Sequence, residues 1–223
     1  MARQRSIFDI VGPVMIGPSS SHTAGAVRLG ALARAVFGTQ PAVAHIGLHG
    51  SFASTGRGHG TELALVAGLL GMRPDDARIP DALDLARAAG MRVDFAEVDL
   101  GEVHPNTAEF TLEDAHGRVM RIGGSSLGGG AVVVTTIDGF EVEATGELPL
   151  LTVEHTDQPG EIAAVTGVLA SSGNNIAEMR VSRERRGARA LMLIETDVEV
   201  DPEACARIAQ LPGVTAVRQV PAV

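Results

Sequence analysis

The sequence predicts an α+β protein in two parts. Residues 1–147 read as an α/β sandwich-like domain with a mixed sheet and flanking helices, and residues 148–223 as a smaller βαββαβ domain. Three observations carry this. Twice within the first seventy residues a polar cluster runs directly into a stretch with helical apolar spacing. Residues 108–137 then read as three strands in succession. From Pro149 onward, strand-like and helix-like stretches follow in the order strand, helix, strand, strand, helix, strand, which is the ferredoxin-like arrangement.

The first helix is signalled by Leu29, Leu32, Ala33 and Val36, at positions i, i+3, i+4 and i+7, and by Gly38 as its stop. An apolar stretch over residues 6–16, interrupted by Gly12 and Pro13, delivers the chain to it. Between the two lies Gly17-Pro18-Ser19-Ser20-Ser21-His22-Thr23-Ala24-Gly25. Ser or Thr before a helical run caps the helix by accepting from its unpaired amides. One cap needs one hydroxyl, and this cluster has four hydroxyls and an imidazole. The surplus points to a site, and a helix N-terminus suits an anion.

A strand is expected over Ala42–Phe52, followed by a second polar cluster, Thr55-Gly56-Arg57-Gly58-His59-Gly60-Thr61-Glu62, read as a glycine-rich loop. Leu63, Val66, Ala67 and Leu70 continue it with helical spacing, and Gly71 ends that helix. In outline this resembles a phosphate loop, but the Gly-Lys-Ser/Thr ending and the G-x-G-x-x-G pattern are both missing. A small carboxylate or phosphate held by amides, Arg57 and Thr61 is the better reading. Pro80 and Asp81 open a further helix bearing Ala82, Leu85, Ala86 and Ala89, closed by Gly90. A strand over Arg92–Val98, a turn-rich link containing His104-Pro105-Asn106-Thr107, and strands over Ala108–Glu113, Arg118–Ile122 and Ala131–Ile137 follow. Gly123–Gly130 has five glycines in eight residues and reads as either a flexible loop or backbone that must touch a ligand.

In the second part, Leu150–His155 is a strand, Asp157-Gln158-Pro159-Gly160 a turn, and Ile162, Val165 and Leu169 the inner face of a helix stopped by Gly173. Strands over Ile176–Ser182 and Ala190–Thr196 flank a turn at Arg185–Gly187. Asp201-Pro202 starts a helix with Ala204, Cys205 and Ile208, and Val214–Val220 is the last strand.

Composition excludes several classes of function. A net charge of −9 argues against broad nucleic-acid or anionic-membrane binding. All 18 basic side chains are arginines, so chemistry through a lysine Schiff base is out of reach. One cysteine, Cys205, can neither close an internal disulfide nor supply the thiolates of an iron–sulfur cluster. The N-terminus has no apolar run behind its charges and no stretch approaches membrane-spanning length, so a cytoplasmic protein is expected. A zinc site from His45, His49, His59 and His104 matches no zinc spacing, and no metal ligand is assigned to this chain. His45, His49, His116 and His155 sit in no motif and read as structural, whereas His104 reads either as part of a rigid turn or as a site residue.

Two resemblances follow from these residues. Asp157-Gln158-Pro159-Gly160 with the helix behind it, and Gly173-Asn174-Asn175-Ile176, make the second part resemble an ACT domain. The first part resembles the beta chain of the iron–sulfur-dependent L-serine dehydratases. The residues that carry this are Gly17–Thr23, Gly50-Ser51-Phe52-Ala53, Thr55–Thr61 and His104–Thr107. It departs from that family's common pattern at Arg57, where Lys is frequent, and at Glu62, where Asp is frequent; a planar guanidinium contacts anions differently from an ammonium.

The resemblance implies a lyase subunit that turns L-serine into pyruvate and ammonia together with an alpha chain, which would supply the ligands of a [4Fe–4S] cluster. It implies His22 and His59 as catalytic residues, without saying which is the base. It implies Ser19, Ser20, Ser21, Thr23, Arg57, Gly58, Gly60, Thr61, His104 and Asn106 as the substrate-binding set. For the ACT half it implies an effector site at Asp157, Gly160, Asn174, Asn175 and Ile176, and a homodimer. A non-catalytic amino-acid-binding module or a scaffold is the alternative.

Overall fold

The computed structural model describes residues 13–223, and at Arg57 the backbone alone. The part of the apolar entry segment before Pro13 therefore lies outside the described residues. The chain divides into two compact units, one ending at Asp138 and the other running from Gly139 to Val223.

In the first unit a π turn, Ser20–Ala24, runs into helix α1, Gly25–Phe37. Leu29, Leu32, Ala33 and Val36 are all buried, as their spacing requires, and Gly38 closes α1 in the left-handed conformation. Strand β1 is Val43–Leu48. The expected continuation of that strand through Phe52 is wrong: Gly50–Ser54 is a short helix, α2. The apolar residues there suited a strand, but the Ser51 amide donates to the carbonyl of Pro105 at 2.7 Å and turns the chain. The glycine-rich segment is likewise not a loop. Gly56–His59 forms a single helical turn, α3, and Thr61–Leu69 forms α4. Ala82–Ala88 is α5, entered through a 3₁₀ turn at Ile79–Asp81.

Strands β2 (Arg92–Glu97), β3 (Thr107–Glu113), β4 (Val119–Gly128) and β5 (Ala131–Ile137) complete this unit. They lie in the order β2-β1-β3-β4-β5. The sheet is mixed: β1 runs parallel to β2 and antiparallel to β3, and the remaining pairs are antiparallel. Most of the expected glycine loop at Gly123–Gly130 is therefore strand. Its glycines serve packing: a Cβ at Gly124 would stand 2.7 Å from Leu29 Cδ1 and 2.8 Å from the Val133 carbonyl oxygen. Bare backbone there lets α1 lie close on β4.

Helices α1 and α4 cross in direct backbone contact. A Cβ at Gly68 would be 2.1 Å from the Val27 carbonyl oxygen and 2.6 Å from the Ala31 nitrogen, and one at Gly30 would be 2.2 Å from the Leu65 carbonyl oxygen. Two glycines facing each other set this approach, between the N-terminal half of α1 and the C-terminal half of α4.

The second unit contains β6 (Phe140–Ala144), β7 (Leu150–Thr156), α6 (Glu161–Ser171), β8 (Ile176–Arg183), β9 (Arg189–Thr196), α7 (Pro202–Ala209) and β10 (Val214–Val220). From β7 onward this is the expected βαββαβ order, with an antiparallel sheet ordered β10-β7-β9-β8. Leu151, Val153, Met192 and Ile194 pack with Val165, Leu169, Ala204 and Ile208, so both helices cover one face. Strand β6 was missed by the sequence reading, although Phe140, Val142 and Ala144 are buried between exposed Glu141 and Glu143. Among the described residues no helix is long and apolar enough to cross a membrane.

Candidate active site

The serine cluster caps its helix as expected, with one difference of geometry. Ser19 Oγ accepts from the His22 amide at 3.1 Å, and the helix opens as a π turn. The Ser20 and Ser21 amides precede any acceptor within the helix. The wide turn also places the His22 side chain inward, where it is only 9% exposed.

His22 is held on both nitrogens. Its Nδ1 lies 3.1 Å from Ser21 Oγ, and its Nε2 lies 3.1 Å from Ser51 Oγ and 3.1 Å from Thr55 Oγ1. The Thr55 hydroxyl donates to the Ser51 carbonyl at 2.8 Å, so its oxygen is left to accept from His22 Nε2–H. Nδ1 then accepts from the Ser21 hydroxyl, which in turn lies 3.3 Å from Ser19 Oγ. One direction of donation runs through the whole chain, and it assigns His22 as the neutral Nε2–H tautomer. Phe52, fully buried, meets the ring edge-on at 5.3 Å between centroids. Burial pushes the His22 pKa below the ordinary value. A hydrogen bond to Ser51 opposes this, and the neighbouring His59 adds to it.

That shift has a sign that can be tested. The unfolded chain takes up a proton on His22 as pH falls through about 6.5, while the folded chain resists it. The contribution to stability is therefore full above about pH 6.5 and is lost on acidification toward the lower folded value. The urea midpoint should fall between pH 7.5 and 5 by more in the wild type than in His22→Asn; equal falls would remove His22 as the source.

His59 stands against His22, with ring centroids 5.1 Å apart. Its Nδ1 lies 3.0 Å from the Thr55 carbonyl oxygen, which can only accept, so Nδ1 carries the hydrogen and Nε2 carries the lone pair. The two polar clusters, far apart in sequence, thus form one site. Thr23 belongs to its frame: its hydroxyl donates to the His59 carbonyl at 3.4 Å. The loop at His104–Asn106 adjoins it, since the Pro105 carbonyl accepts from Ser51 and the Asn106 amide donates to His104 Nδ1 at 3.1 Å. Asn106 Nδ2 donates to the Ser126 carbonyl at 3.4 Å. Gly60 takes a left-handed conformation as the N-cap of α4, and Gly58 is exposed with open space at its Cα. Thr61 is fully buried, and its hydroxyl has no partner. The Arg57 side chain lies outside the described residues.

The sequence reading did not assign Ser51 and Thr55 to the site. They stand four residues apart, the spacing of one helix face, but the expected strand and loop concealed it. Ser126 was missed as well; its hydroxyl is fully buried and unpartnered beside Gly25. The histidines read as structural stand elsewhere. His45 faces Asp94 at 3.3 Å, His49 Nδ1 accepts from the Leu100 amide, His116 is exposed, and His155 is buried with Nδ1 on the Thr156 carbonyl.

In the second unit Asp157 accepts from Arg183 and from the Gly187 amide, and that backbone hydrogen bond, with the guanidinium, holds its carboxyl below the usual range. Gly160 is the left-handed N-cap of α6. Asn174, Asn175 and Ile176 lie at the other end of this 11-residue helix, about 16 Å along its axis, so one copy does not gather all five into a single pocket.

The Serine dehydratase beta chain family model matches residues 6–90, and the ACT domain model matches residues 150–213. A Bacillus subtilis protein named probable L-serine dehydratase, beta chain, is 43% identical over 98% of this chain and 99% of its own length. This chain belongs to the serine dehydratase beta-chain family. An L-serine dehydratase beta chain from Peptoniphilus asaccharolyticus is 37% identical over 86% of the chain and 87% of its own length. An L-serine dehydratase from Mycobacterium tuberculosis is 30% identical over 96% of the chain but only 51% of its own length. This chain thus spans about half the length of that relative.

An iron–sulfur cluster takes several cysteine thiolates as ligands, and the residues of this beta chain do not fit one. Cys205 is its sole cysteine; the thiol donates to Gln219 Oε1 at 3.3 Å, and burial, then the Asp201 charge, pushes its pKa up. Among the described residues no group of three or more His, Cys, Asp or Glu side chains is placed to hold a metal ion.

Proposed function

We propose that this chain is the beta subunit of an L-serine dehydratase, converting L-serine to pyruvate and ammonia with a separate alpha subunit that holds a [4Fe–4S] cluster. Family membership supports the activity, and the half-length match to the Mycobacterium tuberculosis relative supports a missing second polypeptide. The observation that carries the reading is the His22–His59 pair set in a ring of hydroxyls.

This chain's share of the work is binding and proton movement. The amides of Ser20 and Ser21, with the Ser51 hydroxyl, suit a carboxylate at the positive end of the helix. His59 is the base. Its Nδ1–H is anchored on a carbonyl, so Nε2 is the lone pair available to take the α-proton. His22 has both nitrogens engaged and positions its neighbours. Loss of the α-proton and β-hydroxyl leaves an aminoacrylate, whose imine tautomer hydrolyses to pyruvate and ammonia. In the same reading the protein is cytoplasmic. Its second unit pairs with a copy of itself and takes a small effector near Asp157 and Gly160.

Anaerobic co-purification with the alpha subunit tests this. Serine-dependent pyruvate formation should require both chains, and iron should remain with the alpha subunit when they are separated. A combined preparation that binds serine yet forms no pyruvate would leave the binding-module alternative. Activity of this chain alone would remove the second subunit from the reading.

A further inference from the structure

Ser51, Thr55 and His59 recur every four residues, the spacing of one helix face, across the two short helices α2 and α3. Thr55 is the C-cap of α2, between the two, and it meets both imidazoles. Its side-chain oxygen lies 3.1 Å from His22 Nε2, and its carbonyl oxygen lies 3.0 Å from His59 Nδ1.

The hydrogen of the Thr55 hydroxyl is already committed. The Ser51 carbonyl accepts it at 2.8 Å, and the same carbonyl accepts the Thr55 amide at 3.0 Å, so side chain and backbone are tethered to one acceptor. Two donors then face Thr55 Oγ1: His22 Nε2–H at 3.1 Å and the Ser51 hydroxyl at 3.2 Å. A hydroxyl has one donor and two acceptor positions, and here all three are used. Ser51 keeps the freedom to turn its hydrogen toward a ligand instead. The other partners of the His22 ring are the hydroxyls of Ser21 and Ser51, and each can donate or accept by rotating. Only a partner with a fixed direction selects a tautomer, and for His22 that partner is Thr55.

We propose that Thr55 is a positioning residue for the two histidines. Its hydroxyl fixes His22 as the Nε2–H tautomer. Its carbonyl, held by the tether to Ser51, fixes His59 as the Nδ1–H tautomer, whose Nε2 is left to accept a proton. One residue thereby sets opposite tautomers in two rings whose centroids are 5.1 Å apart. The consequence for turnover rests on the reading of this site as a dehydratase centre; the tautomers themselves do not.

Long-range proton–nitrogen correlation spectra of the full chain at about pH 8, where both rings are neutral, read the tautomers without the alpha subunit. His22→Asn and His59→Asn assign the signals. The wild type should carry hydrogen on Nε2 of His22 and on Nδ1 of His59. Thr55→Val keeps the shape of the side chain without its hydroxyl, so His22 should become a mixture of tautomers; Thr55→Ser should keep the wild-type pattern. In the assembled enzyme Thr55→Val should lower kcat/KM for pyruvate formation roughly ten- to hundredfold, through kcat and KM together, because an imidazole in the wrong tautomer serves catalysis poorly. Thr55→Ser should recover all but about threefold of that loss. Because Thr55 acts through His22, adding Thr55→Val to His22→Asn should cost less than about twofold more. An unchanged His22 tautomer in Thr55→Val would overturn the proposal, and so would full additivity of the two variants. Mixed tautomers with unimpaired pyruvate formation would overturn the positioning role. A wild-type complex that forms no pyruvate, with spectra as expected, would remove the dehydratase reading and uphold the assignment of the tautomers to Thr55.

Discussion

Replacing His59 by Asn in the assembled enzyme is expected to lower kcat for pyruvate formation by about 10²–10⁴-fold, with KM changed far less. The argument is geometric. His59 Nδ1 is committed to the Thr55 carbonyl, which leaves Nε2 as the acceptor. Asn can keep a donor near that carbonyl but cannot take a proton. His22 offers a contrast, because Ser21, Ser51 and Thr55 occupy both its nitrogens. His22→Asn should loosen the hydroxyls that it orders, raising KM and lowering kcat together, by a smaller factor. Steady-state kinetics of both variants, with complex formation checked by gel filtration, reads this directly. If His59→Asn kept more than about a tenth of the activity while His22→Asn abolished it, the roles of the two would be reversed.

The second large effect lies away from the chemistry. Gly68→Ala should destabilise the protein by about 2–4 kcal/mol, seen as a fall of roughly 10 °C in Tm. The added methyl would meet the Val27 carbonyl and the Ala31 nitrogen, both backbone atoms of α1, so no side chain can move aside. Relief requires the helices to separate, and the separation is felt at the site. The His22 turn opens α1, and His59 immediately precedes α4. Activity should therefore drop further than the unfolded fraction explains. Gly167→Ala is the control: it lies in α6 with nothing within 4 Å of the added methyl, and replacing a helical glycine there should be neutral or stabilising by up to about 1 kcal/mol. Equal melting of Gly68→Ala and the wild type would show that the crossing is not closed by glycine.

Much of this was legible in the chain. The order of elements from β7 onward followed from alternating periods and from turns at Asp157–Gly160, Gly173 and Arg185–Gly187, because those residues act locally on φ and on caps. Helix α1 was legible from the buried positions Leu29, Leu32, Ala33 and Val36 and from its Ser19 cap. The segments that misled were short and apolar or rich in glycine. Gly50–Ser54 became a helix because a distant carbonyl, Pro105, takes its amide. Gly123–Ser126 became a strand because α1 lies against it.

The family resemblance of the two polar clusters singled out His22 and His59, and the one cysteine, Cys205, falls short of the thiolates an iron–sulfur cluster takes. Whether the two imidazoles meet was decided only in three dimensions. Positions 22 and 59 come within reach where the two clusters are tied to each other, Thr55 to His22 and Thr23 to the His59 carbonyl, while Gly30 and Gly68 let the helices behind them touch backbone to backbone. Which ring keeps a lone pair was decided there as well, since a tautomer is set by partners such as the Thr55 carbonyl, and contacts of that kind depend on distance in space rather than on order along the chain.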